Sequence, residues 1–315
     1  MSNLQASFSV VFPLFFLMAL GYGMRAAHLW DDPVIRKVNK LVFQIFLPVN
    51  IFLNIVRSDL SSTFRPRMVI FSCVTVLVLF ILLCGIIPLI EKTPARRGVM
   101  IQGIMRSNFV VLGTSVVASV YGETGTALAA SLITFVIPMF NVLSVIALEI
   151  HRTDGGHADP KRVALGIIKN PLILACIAGM LAALLRLQLP EWLASPLNSL
   201  SGLSTPLALL TLGGSFYFSR VRSGLRQLIT VILGRLLIVP AAVMVVAVAL
   251  GFRNAELMTL VAIFACPTAI SSYPMAVQQG GDGELAGQIV VFSSALSMAA
   301  LFILIWILKA AGWVV

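Results

Sequence analysis

The sequence predicts an all-α integral membrane protein with about ten transmembrane helices. Hydrophobic residues make up 59% of the 315 positions and charged residues only 11%, whereas a soluble domain carries roughly 25% charged residues. The apolar residues also fall into runs of about 20, the length that crosses about 30 Å of hydrocarbon. Because backbone groups in lipid must be satisfied within the segment, we expect these runs to be helices.

The apolar runs predict ten spans separated by short loops, with the tightest gaps around Gly122-Glu123 and Arg253. No basic segment precedes the first run, so we expect a retained span and not a cleaved signal peptide. The predicted spans are residues 6–24, 38–56, 68–90, 99–120, 125–149, 163–185, 196–219, 227–250, 256–279 and 286–309.

The basic residues are concentrated in alternate loops. Lys and Arg exceed Asp and Glu by 22 to 12, and we interpret this surplus as a topology signal and not as a nucleic-acid surface. The positive-inside rule then predicts odd-numbered loops in the cytoplasm and both termini outside. We expect a multi-pass protein of the plasma (inner) membrane. The basic residues after spans 1, 3, 5 and 7 are Arg25, Arg36, Lys37, Lys40, Lys92, Arg96, Arg97, Arg152, Lys161, Arg162, Lys169, Arg220, Arg222 and Arg226.

A polar stretch near the middle of the chain divides it into two halves. Residues 151–162 predict a cytoplasmic linker between a first five-helix repeat, 1–150, and a second, 163–315. Because five is odd, the second half must enter the membrane from the opposite side, which makes an inverted repeat. The fourth span of each half is interrupted by polar and helix-breaking residues, and such pairs indicate a transporter site.

The ninth span contains two prolines with hydroxyl groups between them. Pro267 and Pro274 each remove a helix donor. The alternative is an ordinary kinked helix whose serines bond back to carbonyl groups. The candidate binding residues of this span are Pro267, Thr268, Ser271, Ser272 and Tyr273.

The fourth span supplies the other candidate binding residues, Arg106, Asn108, Gly113, Thr114 and Ser115. Asn108 can donate and accept hydrogen bonds, and Gly113 allows a close helix crossing. Arg106 lies roughly 10 Å inside the span, so it either faces a cavity or snorkels to the interface. If the helices break, their half-helix N-termini suit an anion.

Three arguments limit the other classes of site. Arg235 in the eighth span is expected to snorkel, and Asn50, Asn54 and Asn141 are each expected to serve packing more than binding. None of the twelve acidic residues lies mid-span, which disfavours a cation antiporter. The four cysteines lie in apolar runs, the three histidines in loops, and HExxH is absent, so neither a metal site nor an enzyme is expected.

Short motifs occur in a specific order along nearly the whole chain. They are Phe46-Leu47-Pro48-Val49-Asn50, Ser107-Asn108 with Gly113, Asn141-Val142-Leu143, Asn170-Pro171-Leu172, Pro206-Leu207-Ala208-Leu209 and Cys266-Pro267-Thr268-Ala269. Together these motifs resemble those of the auxin efflux carrier family. The resemblance implies two inverted five-span repeats, a crossover of the fourth and ninth spans, and transport of an organic acid anion, often outward. Asn108 and the Pro267 region would then lie at the substrate site. Family members often place a proline where this chain has Ser115.

The leading hypothesis is a secondary carrier for a small organic acid anion, such as a dicarboxylate, working by alternating access and exporting its substrate. The alternative is a sodium-coupled organic anion symporter of bile-acid-transporter-like architecture. An intramembrane enzyme and a sensor without transport are the other classes considered. No cofactor is expected, the coupling ion, H⁺ or Na⁺, stays open, and a homodimer is expected only by analogy with such folds.

Overall fold

A computed structural model describes residues 3–57, 65–152, 160–217, 221–222 and 224–314. Across these ranges the chain is helical and contains no strand, which confirms the all-α prediction. Most of the predicted linker, residues 153–159, lies outside the described residues. The helices are α1 Asn3–Ala26, α2 Asp32–Leu41, α3 Leu47–Val56, α4 Pro66–Ile90, α5 Pro94–Met105, α6 Thr114–Ile150, α7 Pro160–Ile168, α8 Pro171–Leu184, α9 Glu191–Gly214, α10 Leu225–Leu233, α11 Val239–Ala249, α12 Asn254–Ala265, α13 Ser272–Gln278 and α14 Gly283–Ala310.

Several neighbouring helices join into longer apolar segments. Wider π-helical turns at Val42–Phe46, Phe109–Gly113 and Gly234–Ile238 connect α2 to α3, lead into α6, and connect α10 to α11. Among the described residues, five segments are long and apolar enough to cross a membrane: 32–56, 66–90, 109–150, 225–249 and 283–310. Shorter apolar helices cover 12–26, 171–184 and 254–265. The chain therefore has the helices of a multi-pass membrane protein.

One long helical segment is divided by a glycine. Residues 109–150 number 42, and at 1.5 Å per residue they would extend about 63 Å, twice the hydrocarbon thickness. Gly122 has φ 55° and ψ −136°, outside the helical region. Such backbone angles suit only glycine, and they lie at the predicted Gly122-Glu123 gap. The segment is thus two helices that meet at Gly122.

Two helices are interrupted, and their interruptions contact each other. α5 ends at Met105 and α12 ends at Ala265, and the helical conformation resumes at Phe109 and at Ser272. Ser107 and Thr268 pair as an isolated antiparallel bridge. The Asn108 N–H donates to the Pro267 carbonyl at 2.8 Å. The fourth predicted span therefore breaks without a proline, because backbone bonds to the ninth span replace those within its own helix.

The helices form two packed groups. One contains α1, α3, α8 and α9, and the other contains α4, α5, α6, α10, α11, α12 and α14. In the first group α1 and α9 touch backbone to backbone, since a Cβ on Gly213 would lie 2.0 Å from the Met18 carbonyl oxygen. In the second, Gly113 faces α12 at a longer distance, since a Cβ there would lie 3.0 Å from the Ala262 carbonyl oxygen. The crossover of the two interrupted helices belongs to this second group.

The basic loops share one end of the molecule. Arg25, after the first predicted span, donates to the Gly214 carbonyl at the end of α9 at 2.7 Å. Arg96 pairs with Asp282 at 3.0 Å, which joins the loops after the third and ninth predicted spans. At the opposite end the Asn254 N–H donates to the Trp313 carbonyl. These contacts join basic loops to one another, and they join the loop after the eighth predicted span to the C-terminal end of the chain.

Glu91 anchors the basic end. Its carboxylate accepts from the Thr93 N–H at 2.7 Å and from the Gln227 amide at 2.5 Å. Burial alone would raise the pKa of Glu91, but these hydrogen bonds and the nearby Arg96 charge together hold that pKa below its ordinary value. The carboxylate thereby connects the end of α4 to the start of α10.

Candidate functional site

A cavity of about 140 Å³ opens beside the crossover. Both interruptions contribute to its wall, together with the middle of α3, α6 and α9. The wall thus combines residues from both packed groups of helices. Its polar side chains are Asn50, Asn54, Arg106, Ser107, Asn108, Asn141, Ser204, Thr205 and Ser271.

Arg106 carries the charge of this cavity. Its side chain is buried, and one terminal nitrogen donates to Asn141 Oδ1 and to Ser271 Oγ, each at 2.7 Å. Its other terminal nitrogen contacts the Met275 sulfur. Arg106 therefore turns into the protein and does not snorkel, and its partners among the described residues are neutral. A buried cation with neutral partners attracts an anion, because Coulomb attraction is strong where water is excluded.

Four buried polar atoms at the cavity have no hydrogen-bond partner among the described residues. They are Asn108 Nδ2, Asn141 Nδ2, Ser107 Oγ and Ser204 Oγ. A buried polar group left unpaired costs about 1–3 kcal/mol, so such groups favour a ligand that accepts hydrogen bonds. All of these atoms can donate to a carboxylate oxygen, since an amide nitrogen is only a donor and a hydroxyl can rotate to donate.

Two asparagines of α3 extend the polar wall. Asn54 donates to Asn50 at 3.0 Å, and Asn50 donates to Ser201 of α9 at 2.9 Å. They therefore make hydrogen bonds that join α3 to α9, and they also line the cavity. Their position after Pro48 in an apolar run was the available sequence signal. Ser204 and Thr205 carried no comparable signal.

The candidate residues after Asn108 lie away from the cavity wall. Thr114 Oγ1 donates to the Val110 carbonyl at 2.6 Å, and Ser115 Oγ donates to the Val111 carbonyl at 2.9 Å. These are bonds back to the preceding helical turn. Gly113 lies against α12, where a Cβ would be 3.0 Å from the Ala262 carbonyl oxygen. Arg106 and Asn108 are thus the fourth-span candidates that reach the cavity.

Among the ninth-span candidates, Ser271 lines the cavity and the others hold the crossover or face elsewhere. Thr268 Oγ1 donates to the Gly103 carbonyl at 2.7 Å, while Pro267 accepts from Asn108. Tyr273 of α13 donates to Ser215, the residue that follows α9, at 2.7 Å. Ser272 is buried outside the cavity wall.

The prediction that the Arg235 side chain snorkels to the membrane interface is wrong. This side chain is fully buried, with 0% of its surface exposed. Its guanidinium donates to the carbonyl oxygens of Cys266 at 2.7 Å and of Ile104, Met105 and Ile263 at 3.1 Å each. Four carbonyl acceptors replace water around the charge, and for this reason the side chain remains inside.

The described residues contain no group of three or more His, Cys, Asp or Glu side chains placed to hold a metal ion. The four cysteines, Cys73, Cys84, Cys176 and Cys266, are free thiols. The chemistry available at the cavity is therefore that of one guanidinium with amide and hydroxyl groups.

The chain is similar in sequence to known transporters over most of its length. It is 25% identical over 312 residues to an "Uncharacterized transporter" of Methanothermobacter thermautotrophicus, covering 94% of this chain and 97% of the relative. It is 24% identical over 310 residues to the "Putative malonate transporter" of Rhizobium meliloti, covering 95% of each. The "Uncharacterized transporter YfdV" of Escherichia coli K12 is 23% identical over 270 residues, covering 82% of this chain and 84% of the relative.

Residues 6–307 also match a family described as "Membrane transport protein". This match covers all the helices that line the cavity and confirms the resemblance to auxin efflux carriers. Because it extends over nearly the full length, the chain belongs to this auxin efflux carrier-like membrane transport family.

Proposed function

We propose that this protein is a secondary carrier that moves a small, dicarboxylate-like organic acid anion across the plasma membrane by alternating access. The export direction is part of the proposal and follows from the family resemblance. The observation that carries the proposal is Arg106, a buried guanidinium at a polar cavity with neutral hydrogen-bond partners.

The cavity can satisfy both ends of a short diacid. One carboxylate would pair with Arg106, displacing its bonds to Asn141 or Ser271, since a guanidinium binds a carboxylate in bidentate geometry. The second would accept from Asn108 Nδ2 and Ser107 Oγ, which are buried and unpartnered. A relative named for malonate, itself a three-carbon diacid, supports this substrate class.

The proposed architecture has ten spans in two inverted halves, 1–150 and 163–315, joined by the cytoplasmic linker 151–162. The basic loops would face the cytoplasm and both termini the outside. The group formed by α1, α3, α8 and α9 would remain in place while the group that contains the crossover moves. The cavity supports this division because its wall draws on both groups.

Uptake into proteoliposomes tests the proposal. Purified protein would be assayed with labelled malonate, malate and indole acetate, each with and without sodium and proton gradients. We expect Arg106→Gln to lower the initial rate of diacid uptake by more than about 100-fold, because removing one partner of a buried charge pair costs about 3–5 kcal/mol. Asn108→Ala should lower it by about tenfold.

The matched control is Arg226→Gln, which removes an exposed arginine of α10 and should transport normally. Normal uptake by both Arg106→Gln and Asn108→Ala would show that the anion does not bind at this cavity. No uptake of any acid by wild-type protein would remove the anion proposal. Uptake that depends on a sodium gradient would favour the sodium-coupled symporter.

A further inference from the structure

Four helix ends meet at the crossover, and two of them are negative. α5 ends at Met105 and α12 at Ala265, and the last carbonyl groups of a helix have no partner within it. Each helix C-terminus also carries about half a negative charge from the aligned peptide dipoles. Two such ends that converge away from water form a place where a cation is stabilised.

Arg235 fills this place. Its guanidinium contacts carbonyls from both helices, Ile104 and Met105 at the end of α5 and Ile263 and Cys266 around the end of α12. The four distances, 2.7 to 3.1 Å, lie in the hydrogen-bond range. The arginine comes from a third element, the π-helical turn Gly234–Ile238, so it connects three separate stretches of chain.

The backbone around Arg235 allows the close approach. A Cβ on Gly234 would lie 3.1 Å from the Ile104 side chain, so even alanine would require that side chain to shift slightly. The arginine then enters directly between the ends of α5 and α12. This arrangement differs from that of Arg106, whose partners are side chains at the cavity wall.

Broken helices in secondary transporters commonly use such carbonyl ends to coordinate a sodium ion or a proton. We infer that Arg235 is the resident cation of this crossover: its guanidinium takes the position at the carbonyl ends that a coupling metal ion would otherwise take. The crossover of this chain is therefore held together without a bound metal ion at that position. Arg235 is a positioning residue, since it holds the interruptions that carry Arg106 and Ser271.

Chemical rescue tests the inference in the full-length protein. Arg235→Ala removes the cation and leaves the four carbonyls lining a space of guanidinium shape. In detergent we expect its unfolding temperature to fall by about 5 °C or more. Methylguanidinium at low millimolar concentration should restore most of that loss, whereas urea, which has a similar shape and no charge, should not. Arg226→Ala is the control and should respond to neither compound.

The same additives would then be applied to diacid uptake. This second measurement rests on the proposed function, whereas the unfolding measurement does not. We expect Arg235→Ala to transport about tenfold or more slowly, because small displacements of binding groups have large effects on rate. Methylguanidinium should restore at least half of the rate. If wild-type protein transports no acid while the unfolding rescue succeeds, the proposed function fails and the role of Arg235 stands.

A lysine variant keeps the test decisive if Arg235→Ala does not fold. Arg235→Lys retains the charge with fewer donors, and Arg235→Gln retains donors without the charge. The inference requires the lysine variant to unfold at the higher temperature of the two. Equal unfolding temperatures for these variants, or rescue of Arg235→Ala by urea as well as by methylguanidinium, would overturn it.

Discussion

Gly213 offers a direct test of the contact between α1 and α9. A Cβ at this position would lie 2.0 Å from the Met18 carbonyl oxygen, and ordinary contact begins at 3.4 Å. The helices would therefore have to separate by the 1.4 Å difference. The contact is reciprocal, since a Cβ on Gly21 would lie 2.1 Å from the Leu210 carbonyl oxygen. Neither backbone oxygen can rotate out of the way.

The size of the effect follows from two opposing terms. Replacing glycine by alanine inside a helix gains up to about 1 kcal/mol, while overpacking a tight contact costs about 1–3 kcal/mol. Because the clash is with backbone, we take the upper end of this range for Gly213→Ala. Gly202→Ala in the same helix meets nothing within 4 Å and should show the gain alone. The two variants should thus differ by about 3 kcal/mol.

The assay is thermal unfolding in one detergent, followed by tryptophan fluorescence. A difference of about 3 kcal/mol corresponds to roughly 5–10 °C in unfolding temperature, with Gly213→Ala the less stable variant. If the two variants unfold at the same temperature, α1 and α9 do not pack backbone to backbone at this point. The division into two helix groups would then lose its firmest contact.

Three shorter predictions address other parts of the molecule. Gly122→Ala should destabilise the protein by about 1–2 kcal/mol, measured by the same unfolding assay, because its φ of 55° strains any other residue. Glu91→Gln should lower the unfolding temperature at pH 7. The pKa of Glu91 is lowered in the folded protein, so its ionised carboxylate stabilises the fold at pH 7. The difference between the variants should therefore disappear as the pH falls below 4.5 and the carboxylate becomes protonated. A double-mutant cycle of Tyr273→Phe and Ser215→Ala should give a coupling energy of about 1 kcal/mol in unfolding, and strictly additive effects would contradict their hydrogen bond.

Hydropathy alone located nearly all of the helices because lipid leaves the backbone few choices. An apolar run of about 20 residues must satisfy its own N–H and C=O groups, so its helical state depends little on its neighbours. The two helix interruptions could also be predicted from the residues within each apolar run. Pro267 removes a donor, and the Ser107-Asn108 pair offers polar groups where the fourth run would otherwise continue.

The residues of the cavity wall could be predicted only in part, because the sequence does not show which polar side chains are hydrogen-bonded locally. Arg106, Asn108 and Ser271 lie at the breaks and could be selected from the sequence, whereas Thr114 and Ser115 could not be dismissed. Their bonds to carbonyls one turn earlier satisfy them locally, and sequence type alone does not distinguish a bonded hydroxyl from a free one.

The sequence by itself determined the helical membrane architecture and the two points of interruption, because both follow from the chemistry of short segments. The tertiary structure decided which distant groups meet. Asn50, Ser204 and Asn141 become neighbours of Arg106 only when three helices pack around the crossover. Arg235 shows the difference most clearly: a long charged side chain can reach water or turn inward, and the choice depends on carbonyls from two other helices. Such long-range compensation of a buried charge leaves no signal in the residues adjacent to it.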